Sequence, residues 1–183
     1  AHAGIAGVQT AALNVPIEVL ELLVANMLLD GHPVWCARPR EDLRRPCSEL
    51  TEDSLVGRFA AELKEVSGAK CFSNLPSTLS DKLYDFSALL GTPLTLSKAQ
   101  RLAYRDGYAN HAMLFTGVDM TRNGTVGKFI VESSNGGAAP SSHAMTTNWF
   151  REHVLFAVVD RYLLSPNVVA SLNAKPVVLP EWD

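Results

Sequence analysis

Apolar residues recur at helical spacing in two stretches of the chain's first half. Val15, Val19, Leu22, Leu23 and Met27 mark one helix face. Asn14 reads as its N-cap, Pro16 and Glu18 as its first turn, and Gly31 as its stop. Leu55, Phe59, Leu63 and Val66 predict a second, amphipathic helix over residues 51–66, ended at Gly68. Two shorter helices are expected over 81–90 and 97–104. Residues 33–37, Pro-Val-Trp-Cys-Ala, form a short apolar run of strand type. Residues 38–47 are charged and contain Pro39 and Pro46, so they predict a loop.

The pattern changes after Gly107. Residues 111–120 read as a strand, Asn123-Gly124 as a hairpin turn, and 125–132 as the return strand. Asn135-Gly136-Gly137 is a turn, 143–146 a third strand, 148–153 one helical turn, and 154–162 a strongly apolar strand. The tail, 165–183, reads as a short helix or turn followed by an extended, Pro-bracketed stretch. Helices first and an antiparallel sheet later make an α+β chain. Residues 1–13 are Ala/Gly-rich and read as an arm or linker, 14–106 as mainly helical, and 107–183 as the sheet part, in one domain overall.

Composition narrows the function classes. A chain of 183 residues, 47% apolar and 19% charged, suits one ordinary globular domain. A net charge of −3 gives no electrostatic reason to expect nucleic acid. The cluster of Arg38, Arg40, Arg44 and Arg45 reads as a solvated loop. Cys36, Cys47 and Cys71 are odd in number and lack C-x-x-C spacing, against a disulfide framework or zinc ribbon. Reduced thiols in an intracellular compartment are expected, the cytoplasm first and a mitochondrial interior as the other setting. No apolar run approaches the ~18 residues of a membrane span, and the first residues lack the features of a signal peptide. The chain begins with Ala, which leaves processing, a fragment or a longer protein open. Five histidines show no H-x-x-x-H or HExxH spacing, and neither a Walker A loop nor G-x-G-x-x-G occurs, so no metal and no cofactor are expected. Asp119, Glu132 and Asp160 are too scattered to suggest paired acid–base chemistry. Trp35, Trp149 and Trp182 read as core or interface anchors.

Several blocks then occur in a telling order. They are Asp30-Gly31-His32-Pro33-Val34-Trp35, Leu83-Tyr84-Asp85 with the Leu-Ser-Lys-Ala-Gln-Arg-Leu run at 96–102, and His111-Ala112-Met113 with the strand-turn-strand that follows. Trp149-Phe150, Val158-Val159-Asp160 and the Leu-Pro-Glu-Trp-Asp at 179–183 complete the set. Together these resemble the C-terminal, histidine-bearing half of the bleomycin hydrolase and aminopeptidase C family of papain-like cysteine peptidases. The resemblance implies the right-hand domain of that fold, an antiparallel sheet or half-barrel preceded by helices.

Such a peptidase needs a thiolate, an imidazole paired with it, a side-chain amide that orients the imidazole, and an oxyanion hole. By resemblance His111 is the base. The family's Val-Glu-Asn-Ser-Trp-Gly reads Val131-Glu132-Ser133-Ser134-Asn135-Gly136 here. Ser133 thus stands at the orienting Asn position, shorter and without a carbonyl acceptor, and Asn135 at the shielding Trp position. The family's Gln…Cys-Trp nucleophile segment has no counterpart, and all three cysteines read as passive thiols. The family's short C-terminal arm likewise has no counterpart after Asp183. These departures imply a homologue that is incomplete or non-catalytic as this chain alone and acts as a structural or interaction subunit. The alternative is the His-bearing half of an active cysteine aminopeptidase whose Cys-bearing half is another chain. A nucleic-acid module, suggested by the family's ring-like hexamers, is opposed by the net charge. Expected partners are therefore proteins, either a Cys-bearing N-terminal half or a larger assembly, with a peptide substrate only where activity persists and no membrane insertion.

Overall fold

Helix α1 spans Ile17–Leu29 in the computed structural model, which describes residues 2–3, 9–10, 12–38, 78–80, 91–93, 95–104, 109–133 and 142–177. The helix starts after Pro16 rather than at an Asn14 cap. Pro16 is itself the N-cap, in extended geometry, and its carbonyl accepts from Val19 and Leu20. The residue before a proline is pushed away from helical angles, which keeps Asn14 and Val15 outside the helix. At the other end Gly31 takes φ +84°, a left-handed angle that only glycine adopts without strain. Glu21, Leu23, Val24, Ala25 and Met27 are the buried positions.

The main sheet has six strands in the order β4-β7-β6-β5-β3-β8. They are β3 (Val34–Arg38), β4 (Thr78–Leu79), β5 (His111–Met120), β6 (Val126–Ser133), β7 (Ser142–Thr146) and β8 (Phe156–Ala157). A separate pairing joins β1 (His2–Ala3) to β2 (Gln9–Thr10). Pairing in the main sheet is antiparallel except between β4 and β7, which run parallel. The two-residue β4 had no signature in the sequence. β3 comes from the helical part of the chain yet lies inside the sheet, between β5 and the edge strand β8. The hairpin β5–β6 turns at Asn123-Gly124 as expected, with Gly124 at φ +76° and Thr121 and Thr125 closing the turn through backbone and hydroxyl bonds.

Alternation decides which side chains face the core. Val34 and Cys36 are buried on β3 while Trp35 between them is 46% exposed, so this tryptophan is a surface residue and not a core one. Phe115 on β5, Phe129 and Val131 on β6 and Met145 on β7 share the buried face. Helix α3 (Thr147–His153) covers it, capped by the Thr146 hydroxyl at the Trp149 N–H, and adds Trp149 and Phe150. Phe115, Phe129 and Phe150 stack tilted, with centroids 5.0–5.6 Å apart. Arg151 of α3 joins the buried carboxylate of Glu21 on α1 at 2.6 Å.

Two further expectations need correction. Arg38 ends strand β3 and is buried, where a solvated loop was expected, because the Val34–Cys36–Arg38 alternation carries it inward. The strand expected over 154–162 shortens to β8 and gives way to a 3-10 turn at Arg161–Leu163. Val158 still donates to the Trp35 carbonyl, but its neighbour strand ends at Val34 and the preceding Pro33 has no N–H to extend the ladder.

Helix α2 (Lys98–Ala103) opens on a complete capping box between Ser97 and Gln100. Its Lys98 ammonium donates to the Arg151 and Val154 carbonyls, and Arg101 to the Glu152 carboxylate at 2.8 Å, which ties α2 to the end of α3. Helix α4 (Pro166–Ser171) follows, capped by Ser165. Among the described residues no helix is long and apolar enough to cross a membrane. The expected helices over 51–66 and 81–90, the turn at 135–137, most of the 38–47 loop and Trp182 lie outside the described residues.

Candidate active site

Two adjacent strands bring His111 and Ser133 together. His111 is the first residue of β5 and Ser133 the last of β6. Met113 pairs with Ser133, and His111 lies two residues before Met113 on the same face. Diagonal neighbours in an antiparallel pair are within reach of a long or aromatic side chain. The imidazole spans that diagonal, with its Nε2 3.2 Å from the Ser133 Oγ. The shorter side chain at 133 therefore still meets the histidine, because the register brings the backbone close. Both residues are half-buried where the core face of the sheet runs out. Asn135 lies outside the described residues.

The other side of His111 is β3. Arg38 pairs with His111 in register, and its carbonyl accepts the Asn110 N–H, so β3 fixes the entry into β5. Arg38 packs inward: Nε donates to the Met113 Sδ at 3.1 Å, and the guanidinium lies 4.9 Å from the Trp149 ring centroid. Trp149 stacks in turn on His153 at 4.4 Å. Burial pushes the His153 imidazole down to about 4, helped by the positive charges of Arg101, Arg38 and Lys98 and opposed by Glu152. Beside His111, then, lies the buried guanidinium of Arg38, and beyond it Trp149 and the half-buried His153. Neither Arg38 nor His153 stood out in the sequence as part of the site. The inward alternation along β3 is the signal that could have found Arg38.

The register also sets Cys36 diagonal to His111, since Cys36 pairs with Met113. Its thiol is nonetheless poorly suited to attack. Cys36 is fully buried, and burial pushes its pKa up to about 12 against the pull of Arg38 and of a backbone hydrogen bond at Met113. A thiolate, the reactive form, is scarce at such a site. Cys47 and Cys71 lie outside the described residues. Among the described residues no group of three His, Cys, Asp or Glu side chains could hold a metal.

The model of the Peptidase C1-like family matches residues 69–183, well over half of the chain. The chain belongs to that family. Within it, bleomycin hydrolase of Mus musculus is 31% identical over 98% of this chain and 34% of its own length. Aminopeptidase G of Lactobacillus delbrueckii subsp. lactis is 31% identical over 93% of this chain and 33% of its own. Aminopeptidase C of Lactococcus lactis subsp. cremoris is 38% identical over 55% of this chain. The crystal structure of PepW from Lactobacillus rhamnosis HN001 superposes with a TM-score of 0.70 over 93% of this chain and 33% of its own, at 24% identity, which shows a shared fold. This C1-like family member thus spans about a third of the length of the bleomycin hydrolase and aminopeptidase G relatives.

Proposed function

We propose that this chain is a bleomycin-hydrolase-like homologue that carries out no thiol-dependent peptide cleavage as a single chain and serves as a structural or interaction subunit. The observation that carries the reading is the state of Cys36. It is the cysteine that the sheet sets beside His111, and its thiol is sealed in the core with a pKa near 12. The family reaction starts from a thiolate made stable by an adjacent imidazolium, and a desolvated thiol with so high a pKa does not meet that need. The serine at position 133 supports the same reading. An amide oxygen can only accept, which holds the imidazole in one tautomer, whereas a hydroxyl accepts or donates and fixes neither.

A second reading draws on the His111–Ser133 hydrogen bond. Its persistence at 3.2 Å favours a histidine kept in working position for a thiol supplied by a companion chain. In that reading the substrate is a peptide and the product a free amino acid or shortened peptide. Turnover of an aminoacyl-amide substrate by the lone chain tests the first reading, and a search for the companion chain decides between the two. The purified chain alone is expected to release nothing above a buffer control. Turnover that disappears in His111→Ala overturns the first reading. The native mass of material purified from its source, with each co-purifying chain sequenced, then shows whether a Gln…Cys-Trp companion exists.

A further inference from the structure

We infer that His111 and Ser133 form a serine–histidine dyad, with Ser133 as the nucleophile and His111 as its base, competent toward activated esters rather than peptides. The inference goes beyond the proposed function, whose statement about catalysis concerns thiol-dependent peptide cleavage.

Geometry comes first. A nucleophile and its base are recognised by hydrogen-bond reach between hydroxyl and imidazole nitrogen. The Ser133 Oγ and the His111 Nε2 are 3.2 Å apart. Neither side chain is sealed, since both are half-buried. Met113, opposite Ser133 and 3% exposed, lies on the same sheet face as the pair and takes the Arg38 Nε–H on its sulfur. Arg38 is itself 3% exposed and pairs with His111 along the backbone. The pair therefore sits on two paired strands, His111 at the start of one and Ser133 at the end of the other.

Chemistry then gives the direction of proton transfer. An amide carbonyl at position 133 can only accept a hydrogen bond, so it would hold a proton on Nε2 and leave Nδ1 as the basic nitrogen. A hydroxyl can donate, and its proton then points at the Nε2 lone pair. In that tautomer the basic nitrogen of His111 faces Ser133. A hydroxyl at position 133 thus allows the base to be aimed at its own neighbour, which an amide oxygen does not.

The step balances as ordinary acyl transfer. The Ser133 Oγ forms a bond to the ester carbonyl carbon as its proton passes to the His111 Nε2. The bond from that carbon to the leaving oxygen breaks, and the imidazolium returns the proton to the departing alcohol or phenol. Water then attacks the acyl-serine, gives a proton to the Nε2, and releases the carboxylic acid as Ser133 is reprotonated. Nucleophile and base alone suit a substrate whose leaving group needs little assistance, which points to aryl esters and fluorophosphonates as the reactive class. In the latter the phosphorus–fluorine bond breaks and fluoride leaves with the serine proton.

The test is covalent labelling of the purified chain with an alkyl fluorophosphonate, read by intact mass and by mapping the modified peptide. One adduct on Ser133 is expected. Its rate of formation should fall by ~10²-fold or more in His111→Gln, the usual contribution of a general base, and labelling should be absent in Ser133→Ala and Ser133→Asn. Melting curves for each variant establish that it is folded, and Ser133→Ala is the least disruptive of the three. A folded wild-type chain that takes no label at Ser133 overturns the inference. So does an adduct on Ser133 that forms equally fast in folded His111→Gln. Neither result depends on a thiol, so it leaves the proposed absence of thiol chemistry to be judged on the aminoacyl-amide assay.

Discussion

Acid should weaken this fold through His153, and the structure gives the size of the effect. The imidazole packs against Trp149, tilted by 30°, and faces Arg38 from β3, Lys98 and Arg101 from α2, and its neighbour Glu152, whose carboxylate already binds Arg101. Its pKa falls from the ordinary 6.5 to about 4 in the fold, first through burial and then through the surrounding cations. The unfolded chain takes up a proton near 6.5 while the folded chain stays neutral down to about 4. Stability is therefore fully present above 6.5 and is lost as the pH falls from 6.5 to 4. A gap of that size corresponds to about 3 kcal/mol, a large part of the 5–15 kcal/mol that holds a typical domain together. His153→Phe keeps a ring against Trp149 and removes the titration. The assay is urea unfolding of both proteins at pH 7.5 and pH 4. Other acid effects are common to both proteins, so the difference between the two losses isolates His153. The wild type should lose about 3 kcal/mol more than the variant between those pH values. Equal losses in the two proteins refute the reasoning.

Other side chains give sharp outcomes by the same kind of argument. Arg151→Ala leaves the Glu21 carboxylate, 8% exposed, without its partner at 2.6 Å. Full burial of both charges would make that cost 3–5 kcal/mol, but Arg151 is 44% exposed, so denaturant melts should show a loss of about 2 kcal/mol. Phe150→Ala removes the ring that touches both Phe115 and Phe129 and should cost about 3–5 kcal/mol, seen as a lower unfolding midpoint with unchanged slope.

Much of the fold could be read from pattern, and the failures share a physical cause. The strand at 111–120, the Asn-Gly turn and the short helix before Val154 follow from local alternation and turn chemistry, and the structure places them there. Arg38 was misread because charge was weighed above its place in the Val34–Cys36–Arg38 alternation. Its burial depends on Met113 and Trp149, which come from 75 and 111 residues further along the chain. The same holds for β4, whose two residues become a strand only by pairing with β7. At the candidate site, His111 and Ser133 could be named from their resemblance to a motif. Their contact could not, because it arises from the register of two strands. Nor could the state of Cys36, which looks in sequence like any cysteine beside a tryptophan and proves to be sealed opposite Met113.

The central claim is that His111 activates no thiol of this chain. Alkylation of the folded protein by iodoacetamide tests it most directly, with the rate at each cysteine resolved by peptide mapping from about pH 5 to 9 in the wild type and in His111→Ala. The account predicts that Cys36 stays unlabelled and that any reaction at Cys47 or Cys71 rises with pH as for ordinary thiols of pKa ~8.5, unchanged by the substitution. A cysteine that reacts rapidly at about pH 5–6, and loses that reactivity in His111→Ala, would contradict it.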